Sequence, residues 1–151
     1  DVDIIADLNR ENATEFVQAL QDLYVVNKEA VVAAIRNCQS FNMIHKETIL
    51  KVDVFVSKKT DYSSTVFQRR TLEPGSGDES FYFSSPEDTI IAKLDWYKKG
   101  GEVSQKQWSD IQGIFRMQKG SLDISYLRKW CSCLELGELF EKAYSAASNG
   151  E

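Results

Sequence analysis

The sequence is short of the residues that cross-link chains and bind soft metals. It contains one histidine, three cysteines and two prolines in 151 residues. A zinc site built on Cys and His ligands therefore has too few donors. Cys131 and Cys133 fall in "RKWCSCLEL", which reads as helix, where positions two apart point in different directions. Neither a shared metal nor a bridge is expected of them, and with Cys38 they read as buried or half-buried thiols of a reducing compartment. No apolar run approaches the ~20 residues that span a bilayer, and no signal-peptide pattern opens the chain, so the expectation is a cytoplasmic protein without membrane contact. A basic excess is missing too. The formal net charge is −5, so nothing suggests a general nucleic-acid binder, and only a local basic site stays open. An initiator methionine is also lacking, so we expect the sequence to be part of something longer, with residues ahead of Asp1.

What is present is ordinary for one globular domain, or a compact domain with a helical appendage. Hydrophobic residues make up 42% and charged residues 27%. "DVDIIADL" alternates and predicts a strand over residues 1–7. "NRENATEFVQALQDLYV" predicts a helix on Phe16, Val17, Leu20 and Leu23, with Asn9 and Asn12 as capping candidates. "NKEAVVAAIRNC" predicts another, capped by Asn27 and buried through Val31, Val32 and Ile35. From Ser40 the period becomes two. "SFNMIH" and "ILKVDVFV" predict a hairpin across "KET", "DYSSTVFQRR" is ambiguous, and two short strands should flank the Pro-Gly-Ser-Gly turn at 74–77.

After that turn the pattern is helical. Ser85 is the N-cap of "SPEDTIIAKLDWYKKGG", Pro86 its first position, Glu87 and Asp88 its acidic first turn, and Gly100 its stop. Ser104 and Gln107 form a capping box, Asp123 caps "ISYLRKWCSCLEL", and "GELFEKAYSAAS" closes the pattern. The expected class is α/β (α+β): a small mixed sheet with helices over residues 1–84, then a helical region over 85–151 packed on that core.

Three acids stand out. Residues two apart on a strand face one side, so Asp1 and Asp3 present their carboxylates together. Like charges that close repel unless a proton or a cation intervenes. Mg²⁺ or Mn²⁺ would resolve this through oxygen ligands. Asp53 lies mid-strand between Val52 and Val54, and joins the pair if its strand lies beside the first. Such a trio suits two-metal phosphoryl chemistry. The plainer alternative has Asp1 and Asp3 at a solvated chain end and Asp53 facing water on an edge strand.

The order of these elements resembles the nucleotidyltransferase superfamily with the polymerase-beta-like fold. Its signature is a Gly-Gly or Gly-Ser turn, an acid–apolar–acid strand, and a later strand with a third acid. Asp1, Asp3 and Asp53 match the acids, and the turn would fall ahead of Asp1. "SPEDTIIAKLDWYKKGGEVSQKQWSDIQGIF" is similar to the helical region of minimal bacterial members, particularly the abortive-infection toxin type (AbiEii-like) of toxin–antitoxin pairs. Lys93 and Asp110 match that group's helix-borne Lys and downstream Asp. Lys106-Gln107 stands where toxin-type members often carry Arg-Asp.

The resemblance implies Mg²⁺-dependent transfer of a nucleotidyl group from an NTP to an acceptor hydroxyl on RNA, a protein or a small molecule. Asp1, Asp3 and Asp53 would hold metal and Asp53 would activate the acceptor. Lys93 would stabilise phosphate charge, with Asp110 beside it. Catalysis is implied if the intact chain carries the glycine turn. A cognate antitoxin or a second copy would be the protein partner. The rival readings are a non-catalytic interaction module that keeps the fold, and a metal-dependent nuclease or phosphohydrolase using the same acids. Arg69 and Arg70 read as surface charge, with a triphosphate or RNA contact as the alternative. Trp96 and Trp108 read as packing between helices rather than stacking a base, and His45 as a turn residue rather than a base.

Overall fold

The computed structural model describes residues 2–148, so Asp1 lies outside the described residues. The protein is α/β: a mixed four-stranded sheet, a two-stranded sheet and, among the described residues, seven helices. It divides into two compact units, Asp1–Ser63 and Ser64–Glu151, whereas the sequence pattern changes at 84/85.

The first unit runs β1 (Val2–Ala6), α1 (Ala13–Leu20), β2 (Tyr24–Val25), α2 (Lys28–Asn37), β3 (Ser40–His45) and β4 (Lys51–Val56). Its strands lie in the order β1-β4-β3-β2, with β1 parallel to β4 and the other pairings antiparallel. The parallel pair needs a long crossover, which α1, β2, α2 and β3 supply. The valines of "KVDVFV" decide which face is buried. Val52, Val54 and Val56 pack with Phe41, Met43, Ala13, Val17, Val31 and Ala34, while Lys51, Asp53 and Phe55 alternate to the other side. Burying one such valine is worth about 1.5–3 kcal/mol. Phe16 meets Phe41 edge-on at 5.8 Å, which fixes α1 on the sheet. Asn27 caps α2 by accepting from the Ala30 N–H at 2.8 Å.

Several local expectations fail here. Leu23 is 56% exposed and outside α1, because the chain turns at residues 21–23 and then pairs Tyr24 with His45. Val32 faces water, since Val31 and Ala34 already supply the buried stripe of α2. Ile49 and Leu50 belong to the β3–β4 turn rather than to β4, with Ile49 at φ 57°. That turn is closed by His45, whose Nδ1 lies 3.0 Å from the Thr48 hydroxyl, in keeping with its reading as a turn residue. Cys38 is exposed because it ends α2 in the left-handed conformation, φ 49°. Cys133 is exposed as well; only Cys131 is buried, and burial pushes its thiol up to about 12.

The ambiguous "DYSSTVFQRR" forms α3 (Asp61–Arg69), which spans the division between the units. The second unit continues with the hairpin β5 (Thr71–Pro74) and β6 (Ser80–Phe83). Four helices follow: α4 (Pro86–Lys99), α5 (Gln105–Met117), α6 (Ile124–Cys133) and α7 (Gly137–Ser148). The caps are those the sequence marks. Ser85, Ser104 and Asp123 accept from the N–H groups of Asp88, Gln107 and Tyr126 respectively. The core of this unit is built from Ile90, Ile91 and Leu94 of α4, Ile111 and Phe115 of α5, Leu127 and Cys131 of α6, and Phe140 and Ala143 of α7. Among the described residues no helix is long and apolar enough to cross a membrane.

Candidate functional site

The parallel pairing of β1 with β4 aligns Asp3 directly with Asp53. Val2, Ile4 and Ala6 align with Val52, Val54 and Val56, so the two acids share the face turned away from the core. Strands in a sheet lie about 4.8 Å apart, which lets both carboxylates address one ion. Asn42, the β3 partner of Asp53, adds an amide to the same face. β4 is an interior strand, not the edge that the plainer reading assumed; among the described residues β1 and β2 are the edges. Asp3 is exposed, whereas the Asp53 side chain retains only 23% exposure.

Asp53 already has a cationic partner. Lys51, two residues away on the same strand and therefore on the same face, donates from Nζ to Asp53 Oδ2 at 2.7 Å. An ammonium thus sits where a cation would be held. The donor chemistry fits Mg²⁺, which takes one or two carboxylates when substrate phosphates complete its shell. Among the described residues no set of three or more Asp, Glu, His or Cys side chains is gathered for a metal. The third acid of the expected trio, Asp1, is outside those residues.

In the second unit Lys93 and Asp110 do meet. Lys93 Nζ donates to Asp110 Oδ2 at 3.2 Å, joining α4 to α5, with side chains 37% and 44% exposed. The pair is accessible enough to exchange partners and is worth little to stability. Trp108 packs against Tyr97 at 5.3 Å between the same two helices, as expected. Trp96 is 47% exposed.

The most heavily buried charges are ones that local spacing did not single out. Glu87 and Asp88, read as the acidic first turn of α4, are 6% and 3% exposed. Arg69, read as surface charge, lies against both: Nη2 donates to Glu87 Oε2 at 3.1 Å, and Nε is 3.6 Å from Asp88 Oδ2. Asp88 also accepts from the Ser85 hydroxyl at 2.8 Å and the Tyr126 hydroxyl at 2.7 Å. Glu87 accepts from the Asp123 N–H at 2.9 Å. The Arg69 guanidinium stacks 3.9 Å over the Tyr126 ring. This network ties the end of α3 to the starts of α4 and α6. Burial and the hydrogen bond to Asp88 push the Tyr126 hydroxyl well above its ordinary value, so it remains a donor. The sequence signal for the network was two acids at a helix start beside a distant, unassigned Arg-Arg pair.

Burial on its own would raise the Glu87 carboxyl. The Asp123 N–H, the helix-start N–H, Ser85 and Arg69 outweigh it and hold the group below its ordinary 4.5. A depressed carboxyl stabilises the fold above its unfolded value and loses that contribution as pH falls through the lower folded value. Glu87→Gln should therefore be less stable than wild type at neutral pH and should lose less stability below pH 4.5, measured as urea midpoints against pH. Parallel acid limbs for the two proteins would refute this.

Compared with protein-family models and with curated proteins, the chain matches none.

Proposed function

We propose that the protein is a nucleotidyltransferase of the polymerase-beta-like type, moving a nucleotidyl group from an NTP to an acceptor hydroxyl. The observation that carries this reading is the in-register pairing of Asp3 with Asp53 on the open face of a mixed sheet. Mg²⁺ or Mn²⁺ would be held by Asp3 and Asp53, with Asp1 as the third acid. When bound, the metal supplies charge neutralisation at the phosphates and a lower pKa for the attacking hydroxyl. Asp53, less exposed than Asp3, takes the acceptor proton as that oxygen attacks the α-phosphorus and pyrophosphate leaves. Asp3 supplies the second carboxylate. The resemblance assigns phosphate charge to Lys93, which Asp110 orients at 3.2 Å. RNA, a protein side chain and a small molecule all offer the required hydroxyl. A cytoplasmic toxin–antitoxin role, with a cognate antitoxin as partner, follows from the same resemblance.

The second reading is a non-catalytic interaction module. It is favoured by Lys51, which neutralises Asp53 without any metal. Mn²⁺ binding followed by electron paramagnetic resonance, with and without NTP, separates the two. The enzyme reading expects Asp3→Asn and Asp53→Asn each to weaken Mn²⁺ binding at least ~10-fold, since even residues supporting a ligand contribute that much. Mn²⁺ binding that both substitutions leave unchanged would sink the catalytic assignment, and no binding to the intact protein would favour the module.

A further inference from the structure

The hairpin of the second unit exposes both of its faces. Phe81, Tyr82 and Phe83 are 52%, 61% and 55% exposed, and Leu72 on β5 is 56% exposed. Two strands alone are marginal in water; a third strand or a packed face is normally needed. Among the described residues β6 pairs with β5 alone.

The ladder shows which edge is open. The Gly75 N–H donates to the Glu79 carbonyl at 2.8 Å, so 75 with 79 is a hydrogen-bonded pair. Bonded and non-bonded pairs alternate in an antiparallel ladder. With Pro74 opposite Ser80 and Leu72 opposite Tyr82, the outward-pointing groups on β5 are those of Leu72 and Pro74. Proline has no N–H, so it blunts that edge. On β6 the outward groups are those of Ser80 and Tyr82, both with an N–H and a carbonyl to offer.

We propose that β6 is a self-association edge, paired in solution with β6 of a second copy to make a four-stranded antiparallel sheet. The sequence around this edge reads Ser80-Phe81-Tyr82-Phe83-Ser84, the same in both directions. Antiparallel pairing about a two-fold axis at Tyr82 therefore sets Tyr82 against its copy, Ser80 against Ser84, and Phe81 against Phe83. The two Tyr82 residues exchange their outward hydrogen bonds, and four phenylalanines gather on one face as cross-strand aromatic pairs. The five paired residues carry no charge of their own; an Arg70 guanidinium lies 4.3 Å over the Tyr82 ring of each copy, the one like-charge pair the seam has to accommodate. Self-complementarity of this kind is what an isologous interface requires. Three half-exposed rings per copy offer roughly 600 Å² in all, taking about half of the ~200 Å² an aromatic buries, and the paired backbone adds more. That lies at the low end of specific interfaces, so the dimer is a weak one. Pro74, without an N–H, blunts the far edge of each hairpin, which favours assembly stopping at two.

Sedimentation equilibrium of the full chain over a wide concentration range tests this. The expected result is a monomer–dimer equilibrium whose dissociation constant rises at least tenfold in Tyr82→Pro, which removes the outward N–H together with the ring beneath Arg70, and in Phe83→Lys. Far-ultraviolet circular dichroism should match wild type in both. If Tyr82→Pro misfolds, Phe83→Lys decides alone. A monomer at every concentration, a dimer that the folded variants leave unchanged, or growth beyond two copies would overturn the proposal.

Discussion

Asp88→Ala should destabilise the second unit by about 3 kcal/mol, the lower end of what removing one partner from a buried ion pair costs. Its side chain is 1% exposed and takes hydrogen bonds from Ser85 and Tyr126 while facing Arg69. Truncation leaves the Tyr126 hydroxyl without its acceptor and removes one of two carboxylates from the guanidinium. The cost stays at the lower end because Arg69 keeps Glu87 at 3.1 Å and is itself 32% exposed. Asp88→Asn retains an acceptor for Tyr126 but turns an N–H₂ group toward Arg69 or Ser85, so it should fall between wild type and Ala. Removing Arg69 as well should cost less than the sum of the two single changes, because each deletion relieves the charge the other leaves stranded. Urea midpoints for Arg69→Ala, Asp88→Ala and the double variant check this. Strictly additive losses would mean that Arg69 and Asp88 do not act on one another. The network also bears on the proposed chemistry: Asp88 stands in the first turn of α4, the helix that carries Lys93.

What local periodicity reaches is visible in "KVDVFV" and "SPEDTIIAKLDWYKKGG". The valines at 52, 54 and 56 set the strand, its buried face and the outward side of Asp53 in one stroke, because side chains alternate with period two. Ser85, Pro86 and Gly100 fix both ends of α4 through groups that lie within four residues of the backbone atoms they satisfy. Pairing Asp3 with Asp53 needed more than periodicity. It came from element order through the family resemblance, and the parallel register then aligned the two acids. The Arg69–Glu87–Asp88–Tyr126 network was hidden for the opposite reason. Its contacts join residues 18, 36 and 38 apart, so each member taken alone has an adequate local explanation as a cap or a surface charge. Lys51 was similarly unremarkable in sequence, since an outward lysine on a strand becomes a counter-ion only once its neighbour is a half-buried acid. Leu23 was misread because an apolar residue just past a helix looks like another turn of it, whereas the pairing of Tyr24 with His45 pulls the chain into the sheet.

Phe140→Ala should cost about 3–5 kcal/mol, the range for deleting a fully buried aromatic whose surroundings only partly collapse. Phe140 is 0% exposed on α7, 6.0 Å from the Phe115 ring of α5, and stacked at 5.8 Å on Tyr144 one turn along its own helix. Tyr144 also meets Phe115 at 5.6 Å, so the three rings form a closed set, and removing Phe140 leaves a void beside the other two. Phe140→Leu keeps most of the volume and should cost less than half as much. Urea unfolding reads both: the midpoint should fall in the order wild type, Leu, Ala, with the slope m unchanged if the native state keeps its compactness. A loss below about 1 kcal/mol for Ala would contradict the burial of this ring, as surface substitutions stay within that range. The consequence reaches the candidate site through α5. Phe115 and Asp110 lie on the same helix, and a cavity beneath Phe115 weakens what holds that helix to α7. The Lys93–Asp110 pair, exposed and weak by itself, cannot supply the missing hold. Its 3.2 Å geometry depends on the aromatic core behind it, so Phe140→Ala should loosen the pair without touching either residue.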